Sequence, residues 1–277
     1  MAYPYDLVAI DVDGTLINSK DRLTPATSAM IQEVQARNIR VTLASGRPRL
    51  TLAPLLAELH ISEPYISSTG AHIIDPANGK TLYYAALPKD ALTTIAELAR
   101  AEQVPFLFQE SDRVFYEGSE ETLQRLSDTY KIDITVADKF KAHFIGVEDL
   151  LQVRIEPIKV YVCGKPSIVQ GIEEQLHQRD LPIYTTYSAP PYLEITSSNA
   201  TKGEAIKRLT AYLGIPLERV IAIGDSLNDL PMFQVVGKKV AMGNAHPQIK
   251  AIADVIAPTN DEDGVAWALR ELVIKEV

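Results

Sequence analysis

Two pairs of aspartates stand where a chain can use them. Asp11 and Asp13, in Asp11-Val12-Asp13-Gly14-Thr15, directly follow the apolar run Leu7-Val8-Ala9-Ile10; Asp225 and Asp229, in Gly224-Asp225-Ser226-Leu227-Asn228-Asp229, come just after the run Val220 to Ile223. In extended chain Asp11 and Asp13 point to the same side, and Gly14 permits the turn that follows. Two neighbouring carboxylates can divide labour, one ionised as nucleophile or metal ligand and the other protonated as general acid. Taken singly, Asp-x-Asp-Gly after a strand is as often a solvated turn, and Asp225 or Asp229 beside a helix start serves as a cap. Joined, the four form a carboxylate cluster with little local counter-charge, which a hard divalent cation such as Mg²⁺ would neutralise.

Two further segments belong to the same argument. Ala44-Ser45-Gly46-Arg47 ends an apolar run just before a helix, so the Ser45 hydroxyl and the Gly46 amide form an anion site of the kind helix N-termini supply. An ordinary Ser-Gly turn is the bland alternative. Lys202 opens a helix, the end at which the dipole disfavours a cation, and a bound phosphate or the aspartates would resolve that conflict. Together these residues supply acids, a metal, one hydroxyl and one cation, an inventory suited to phosphoryl transfer onto an aspartate.

The elements that must position them are α/β. Strands at Leu7–Ile10, 41–44 and 65–67 alternate with helices from Thr24-Pro25 and from about Pro48 to Leu59. This βαβαβ pattern predicts a doubly wound parallel sheet, Rossmann-like, with ligands beyond the carboxyl ends of its strands. Asn78-Gly79 between two β-rich runs predicts a hairpin. Residues 85–189 mix helices with short paired strands and read as an inserted α+β domain with an antiparallel sheet. After Pro190-Pro191 the alternation resumes with a strand from Tyr192 to Thr196, a helix from Lys202 to Leu213 ended by Gly214, and a terminal helix around Trp267. The expected domains are therefore a core of 1–84 and 190–277 and an insert of 85–189.

Composition narrows the partners. With 277 residues, 46% hydrophobic and 23% charged, the chain is expected to be a soluble globular protein. Its net charge of −9 offers no electrostatic footprint for nucleic acid or an anionic membrane, so any phosphate must be held by a local pocket. The single cysteine, Cys163, lies in Val160-Tyr161-Val162-Cys163-Gly164 and reads as a buried small hydrophobe. The start of the chain has no basic leader region, and no apolar run approaches the roughly 18 residues of a membrane span. A cytoplasmic location, and a monomer or homodimer, are the expectation.

Taken together the motifs resemble the haloacid dehalogenase superfamily. A strand followed by Asp-x-Asp-x-Thr matches Leu7 to Thr15, a strand ending in Ser or Thr matches Ser45, a lysine matches Lys202, and Gly-Asp-x-x-x-Asp matches Gly224 to Asp229. The insert between the second and third motifs, with Ala44 to Arg47, Thr201-Lys202-Gly203 and Ala241-Met242-Gly243-Asn244-Ala245, looks like the Cof-type phosphatase branch with a type IIB cap. Thr69 in Ser68-Thr69-Gly70-Ala71 stands where that branch usually has Asn, and Asn199 where Gly is common.

The resemblance implies that Asp11 is the nucleophile and Asp13 the acid and base. It implies Mg²⁺ held by Asp11, the Asp13 carbonyl and Asp225, with Ser226 near it. Phosphate would be bound by the Val12 amide, Ser45, Gly46, Lys202 and Asn228, with Asp229 orienting Lys202 or a metal-bound water and Thr15 and Arg47 in support. The activity so implied is a Mg²⁺-dependent phosphatase for small phosphorylated metabolites, sugar phosphates first. A phosphosugar mutase is the second reading, and a non-catalytic aspartyl-phosphate switch is the third. Arg113, Arg154, Tyr184 and Tyr187 are candidate substrate contacts in the insert.

Overall fold

Leu7–Ile10 has no polar member, and in the computed structural model, which describes residues 4–130, 143–187 and 192–275, it forms strand β1 with every residue buried. Strand β1 pairs in parallel with β2 (Arg40–Leu43) on one side and β12 (Val220–Gly224) on the other, Ile10 standing opposite both Leu43 and Ile223. With β13 (Lys238–Ala241) and β14 (Val255–Ile256) the order is β14-β13-β12-β1-β2. Such continuously apolar strands need cover on both faces. Helices α1 (Pro25–Ala36), α2 (Arg49–Glu58) and α6 (Lys202–Leu213) contribute Ile31 and Val34, Leu52 and Leu56, and Ile206 and Leu209 to one core with them. The expected start of α1 is met: the Thr24 hydroxyl accepts from the Thr27 amide at 3.2 Å, with Pro25 at the first helical position.

The third strand of the βαβαβ pattern departs from expectation. Strand β3 (Tyr65–Ser67) pairs antiparallel with β4 (His72–Asp75), and β5 (Lys80–Tyr84) completes a separate three-stranded sheet. Among the described residues it meets the parallel sheet at a bridge between Ala44 and Ile66. The reason is the turn at Ser68–Gly70, where three successive positive φ angles reverse the chain before a crossover helix could form.

The chain divides into two units, one of Met1–Gly46, Leu52–Tyr83 and Thr201–Val277, the other of Arg47–Thr51 and Tyr84–Ala200. The second unit holds a six-stranded sheet. Its strands are β6 (Phe106–Gln109), β7 (Arg113–Glu117), β8 (His143–Val147), β9 (Lys159–Cys163), β10 (Ile183–Tyr187) and β11 (Tyr192–Ser197), in the order β10-β11-β9-β6-β7-β8. The pairing is antiparallel except for β7 with β8, which run parallel, so the sheet is mixed and not the purely antiparallel one expected. Helices α3 (Lys89–Ala101) and α5 (Pro166–His177), between which α4 (Glu120–Tyr130) falls in sequence, pack Ile95, Ala99, Ile172 and Leu176 against Phe106, Phe108, Val160 and Val162.

Strand β11 corrects the expected boundary. The sequence reading places Tyr192 to Thr196 in the parallel core; the strand is instead bonded antiparallel to β9 and β10. Leu193 and Ile195 join the apolar core, while Glu194 pairs with Lys159 of β9. That alternation marks an antiparallel strand and not the unbroken apolar run of a parallel one. Pro190-Pro191, read as domain punctuation, lies outside the described residues.

Cys163 is fully buried, and its surroundings push the thiol up to about 12 by desolvation. Because the folded value is raised above the ordinary 9.0, the thiol's stabilising contribution is complete below that pH and is lost as pH rises toward 12. The native protein at pH 8 is therefore expected to give no reaction with a disulfide reagent, and one equivalent once denatured. A full equivalent from the native protein would contradict this burial.

Candidate active site

Because β1 lies between β2 and β12, the carboxyl ends of all three fall on one edge of the sheet, and Ser45, Asp11 and Asp225 follow them in turn. The Asp11 amide continues the ladder by donating to the Ile223 carbonyl at 3.0 Å. The chain then turns sharply, the amides of Leu16 and Ile17 donating to the Val12 carbonyl at 3.0 and 3.1 Å. Gly14 has φ of 80° and lies against Asp225, where a Cβ would stand 2.4 Å from Oδ2. Both facts require glycine. The Thr15 hydroxyl donates to Asp225 Oδ1 at 2.9 Å, and Asn244 donates from Nδ2 to the Gly14 carbonyl at 2.8 Å.

Lys202 is the first residue of α6, whose N-cap Thr201 accepts from the Glu204 amide. Its side chain is completely buried, and Nζ lies 2.5 Å from Asp11 Oδ1 and 2.5 Å from Asp229 Oδ1. Two carboxylates offset the unfavourable helix end and the loss of water. Burial works to lower the lysine, but Asp11 and Asp229 outweigh it and hold the ammonium above its ordinary range. Asp229 is itself fully buried and has both oxygens engaged, Oδ1 by Lys202 and Oδ2 by the amides of Asp225 and Ser226 at 2.9 and 3.0 Å. The Ser226 hydroxyl donates to Asn228 Oδ1 at 2.8 Å.

Asp11, Asp225 and Asp229 each present a carboxylate oxygen within 4.8 Å of the others. Burial first, then Asp229, raises Asp11 well above the carboxylate range; the same two causes push Asp225 up to about 6. The cluster is short of positive charge and offers only oxygen donors, so it fits a hard divalent cation such as Mg²⁺. Asp13 differs from Asp11 in exposure: its side chain is open to solvent and its carboxylate is not part of that cluster.

Ser45 is fully buried, its amide donating to Ile66 and its carbonyl accepting from Thr69, both at 3.0 Å. Gly46 follows in the same unit, and Val12 and Asn228 lie in the turns after β1 and β12. Arg47 clusters with the second unit. In that unit Arg113 is ion-paired with Glu110 and Tyr187 donates to Glu173 at 2.5 Å, so both expected contacts are engaged locally; Arg154 is exposed and Tyr184 partly buried.

Sequence reasoning missed Lys159, which is completely buried and lies 2.6 Å from Glu194. The alternation of Lys159 with Val160 was the available signal, but 35 residues separate the partners. It also missed Thr201 as the cap that fixes Lys202, although Thr201 to Glu204 has the spacing of a capping box.

Residues 8–269 match the family model described as haloacid dehalogenase-like hydrolase. The chain is 32% identical to phosphatase YwpJ of Bacillus subtilis over 96% of this chain and 99% of that one. It is 29% identical to the 5-amino-6-(5-phospho-D-ribitylamino)uracil phosphatase YitU of the same organism, over 97% of each. Among solved structures, a haloacid dehalogenase-like hydrolase from Bacteroides thetaiotaomicron superposes with a TM-score of 0.81 at 31% identity, covering 96% of this chain and 99% of that one. With aspartates ending two adjacent parallel strands, a lysine held between Asp11 and Asp229, and likeness along nearly its whole length, the chain belongs to the haloacid dehalogenase-like hydrolases, in the Cof-type branch, and is a phosphoric monoester hydrolase.

Proposed function

We propose that this hydrolase is a Mg²⁺-dependent phosphatase of small phosphorylated metabolites, sugar phosphates first, working through an aspartyl-phosphate on Asp11 and acting in the cytoplasm. The observation that carries the reading is the contrast between two neighbouring acids: Asp11 buried and hydrogen-bonded to Lys202, Asp13 exposed. Lys202 and a bound divalent cation would offset the burial that raises Asp11 and so ionise it for attack on phosphorus, while a solvent-reached Asp13 suits proton exchange with leaving group and water.

In the first step an Asp11 oxygen bonds to phosphorus, the bond to the leaving oxygen breaks, and Asp13 gives that oxygen its proton. In the second a water attacks the aspartyl-phosphate, Asp13 takes its proton, and Asp11 is released with inorganic phosphate. Lys202, Ser45, and the amides of Val12 and Gly46 hold the phosphoryl oxygens, with Asn228 beside them. Asp229 fixes Lys202 and the turn after β12. Asp11, Asp225 and the Asp13 carbonyl would hold Mg²⁺, with Ser226 alongside, and its charge would offset that of the phosphoryl group. Substrate choice is assigned to the second unit. A relative named for a phosphorylated ribityl compound supports including polyol phosphates beside sugars among the substrates.

The test is a panel of phosphorylated sugars, polyols, nucleotides and cofactors assayed for phosphate release. Release is expected with Mg²⁺, loss with a chelator and recovery when Mg²⁺ is restored. Ca²⁺ is expected to inhibit, since its longer bonds and higher coordination number spoil octahedral alignment. Full activity without metal would overturn the proposal. Interconversion of hexose 1- and 6-phosphates with little phosphate released would identify a mutase instead.

A further inference from the structure

The turn Ser68–Gly70 holds a conformation its sequence resists. Ser68 and Thr69 have φ of 49° and 61°, in the left-handed region that residues with a Cβ avoid and β-branched ones avoid most. Both are buried, Thr69 completely. The turn meets two groups of the proposed mechanism. The Thr69 amide donates to the Ser45 carbonyl at 3.0 Å. A Cβ on Gly70 would stand 2.2 Å from the Thr201 carbonyl oxygen and 2.9 Å from the Lys202 amide nitrogen. Enclosed here, the Thr69 hydroxyl has no hydrogen-bond partner among the described residues. A buried hydroxyl left unpaired is costly. A fold that keeps one at a backbone position better suited to Gly or Asn gains from it when a ligand supplies the partner.

We propose that Thr69 is a further substrate-binding residue, its hydroxyl donating to an oxygen of the phosphoryl group held by Ser45 and Lys202. The proposal rests on the phosphatase reading of this site. A phosphoryl oxygen is anionic, so the bond is charge-assisted, and threonine can donate to it while its carbonyl and amide remain in the turn.

Thr69→Val tests this, because valine has the same shape and meets the same backbone strain but lacks the hydroxyl. It is expected to fold with a melting temperature at or above that of the native protein, since an unpaired polar group has been removed. Its kcat/KM is expected to fall about 10- to 100-fold, the loss of one hydrogen bond to a charged group. Calorimetric titration with inorganic phosphate and Mg²⁺ is expected to show a Kd weakened by a similar factor. Thr69→Ser should recover both to within about threefold. Should Thr69→Val not fold, Thr69→Ala removes the hydroxyl with less crowding and decides the matter in the same way. A folded hydroxyl-free variant with native phosphate affinity and native kcat/KM would overturn the proposal. So would a Thr69→Ser variant as impaired as Thr69→Val. Failure of the phosphatase reading has another signature, turnover that survives Asp11→Asn.

Discussion

Asp11→Asn is expected to remove turnover while the protein stays folded. Asparagine keeps the shape of the side chain but is neither a nucleophile toward phosphorus nor an anionic metal ligand. The site should tolerate the loss of charge, because burial and Asp229 already disfavour the ionised form of Asp11, and Lys202 keeps Asp229 as partner. The melting temperature is therefore expected to match or exceed that of the native protein. Rapid-quench measurement of one turnover, beside a thermal melt, checks both halves. Retention of more than about a hundredth of native kcat, against the orders of magnitude due to a missing nucleophile, would dismiss the covalent route.

Asp13→Asn should have an effect that depends on the leaving group. If Asp13 protonates the departing alkoxide, its loss should slow the first step with a sugar phosphate by about 10²- to 10⁴-fold. The same step with p-nitrophenyl phosphate should be nearly spared, because that leaving group is stable without a proton. Since Asp13 is also the base for the second step, the aryl substrate is expected to give a burst and then accumulate phosphate on Asp11. Single-turnover rates for both substrates separate the cases. Equal losses in the first step would mean that Asp13 supports only the metal or the turn, and its acid and base roles would be withdrawn. The exposure of Asp13, two residues from an enclosed Asp11, favours the unequal outcome.

Much of this site could be read from the sequence because its parts sit at local boundaries. An apolar run that gives way to acids marks a strand end in a parallel sheet, and Asp11 and Asp225 lie directly after β1 and β12. Lys202 was noticed because a cation at a helix start contradicts the dipole, and the two aspartates that resolve the contradiction lie within 2.5 Å of it. What escaped depends on pairing between distant segments. Strand β11 looks like the opening of a new βα unit until its partners β9 and β10 are known. Thr69 could be marked as an unusual residue, but neither its left-handed backbone nor its unpaired hydroxyl follows from the letters around it. The separate sheet of β3, β4 and β5 was hidden for the same reason: a turn made without glycine at its first two positions carries no ordinary sequence signal.

The position of β1 also bears on the order in which the protein can form as it leaves the ribosome. Its two partners come from opposite ends of the chain, Arg40 and Val220 both standing opposite Leu7. Throughout synthesis of residues 84–200 this wholly apolar strand has one neighbour and one open edge. The second unit, contiguous apart from Arg47–Thr51, can assemble meanwhile. Domains usually mature from the N-terminus onward, but here Leu7–Ile10 must wait for Val220–Gly224. Until β12 is made, an apolar strand edge therefore stays open to association with other strands.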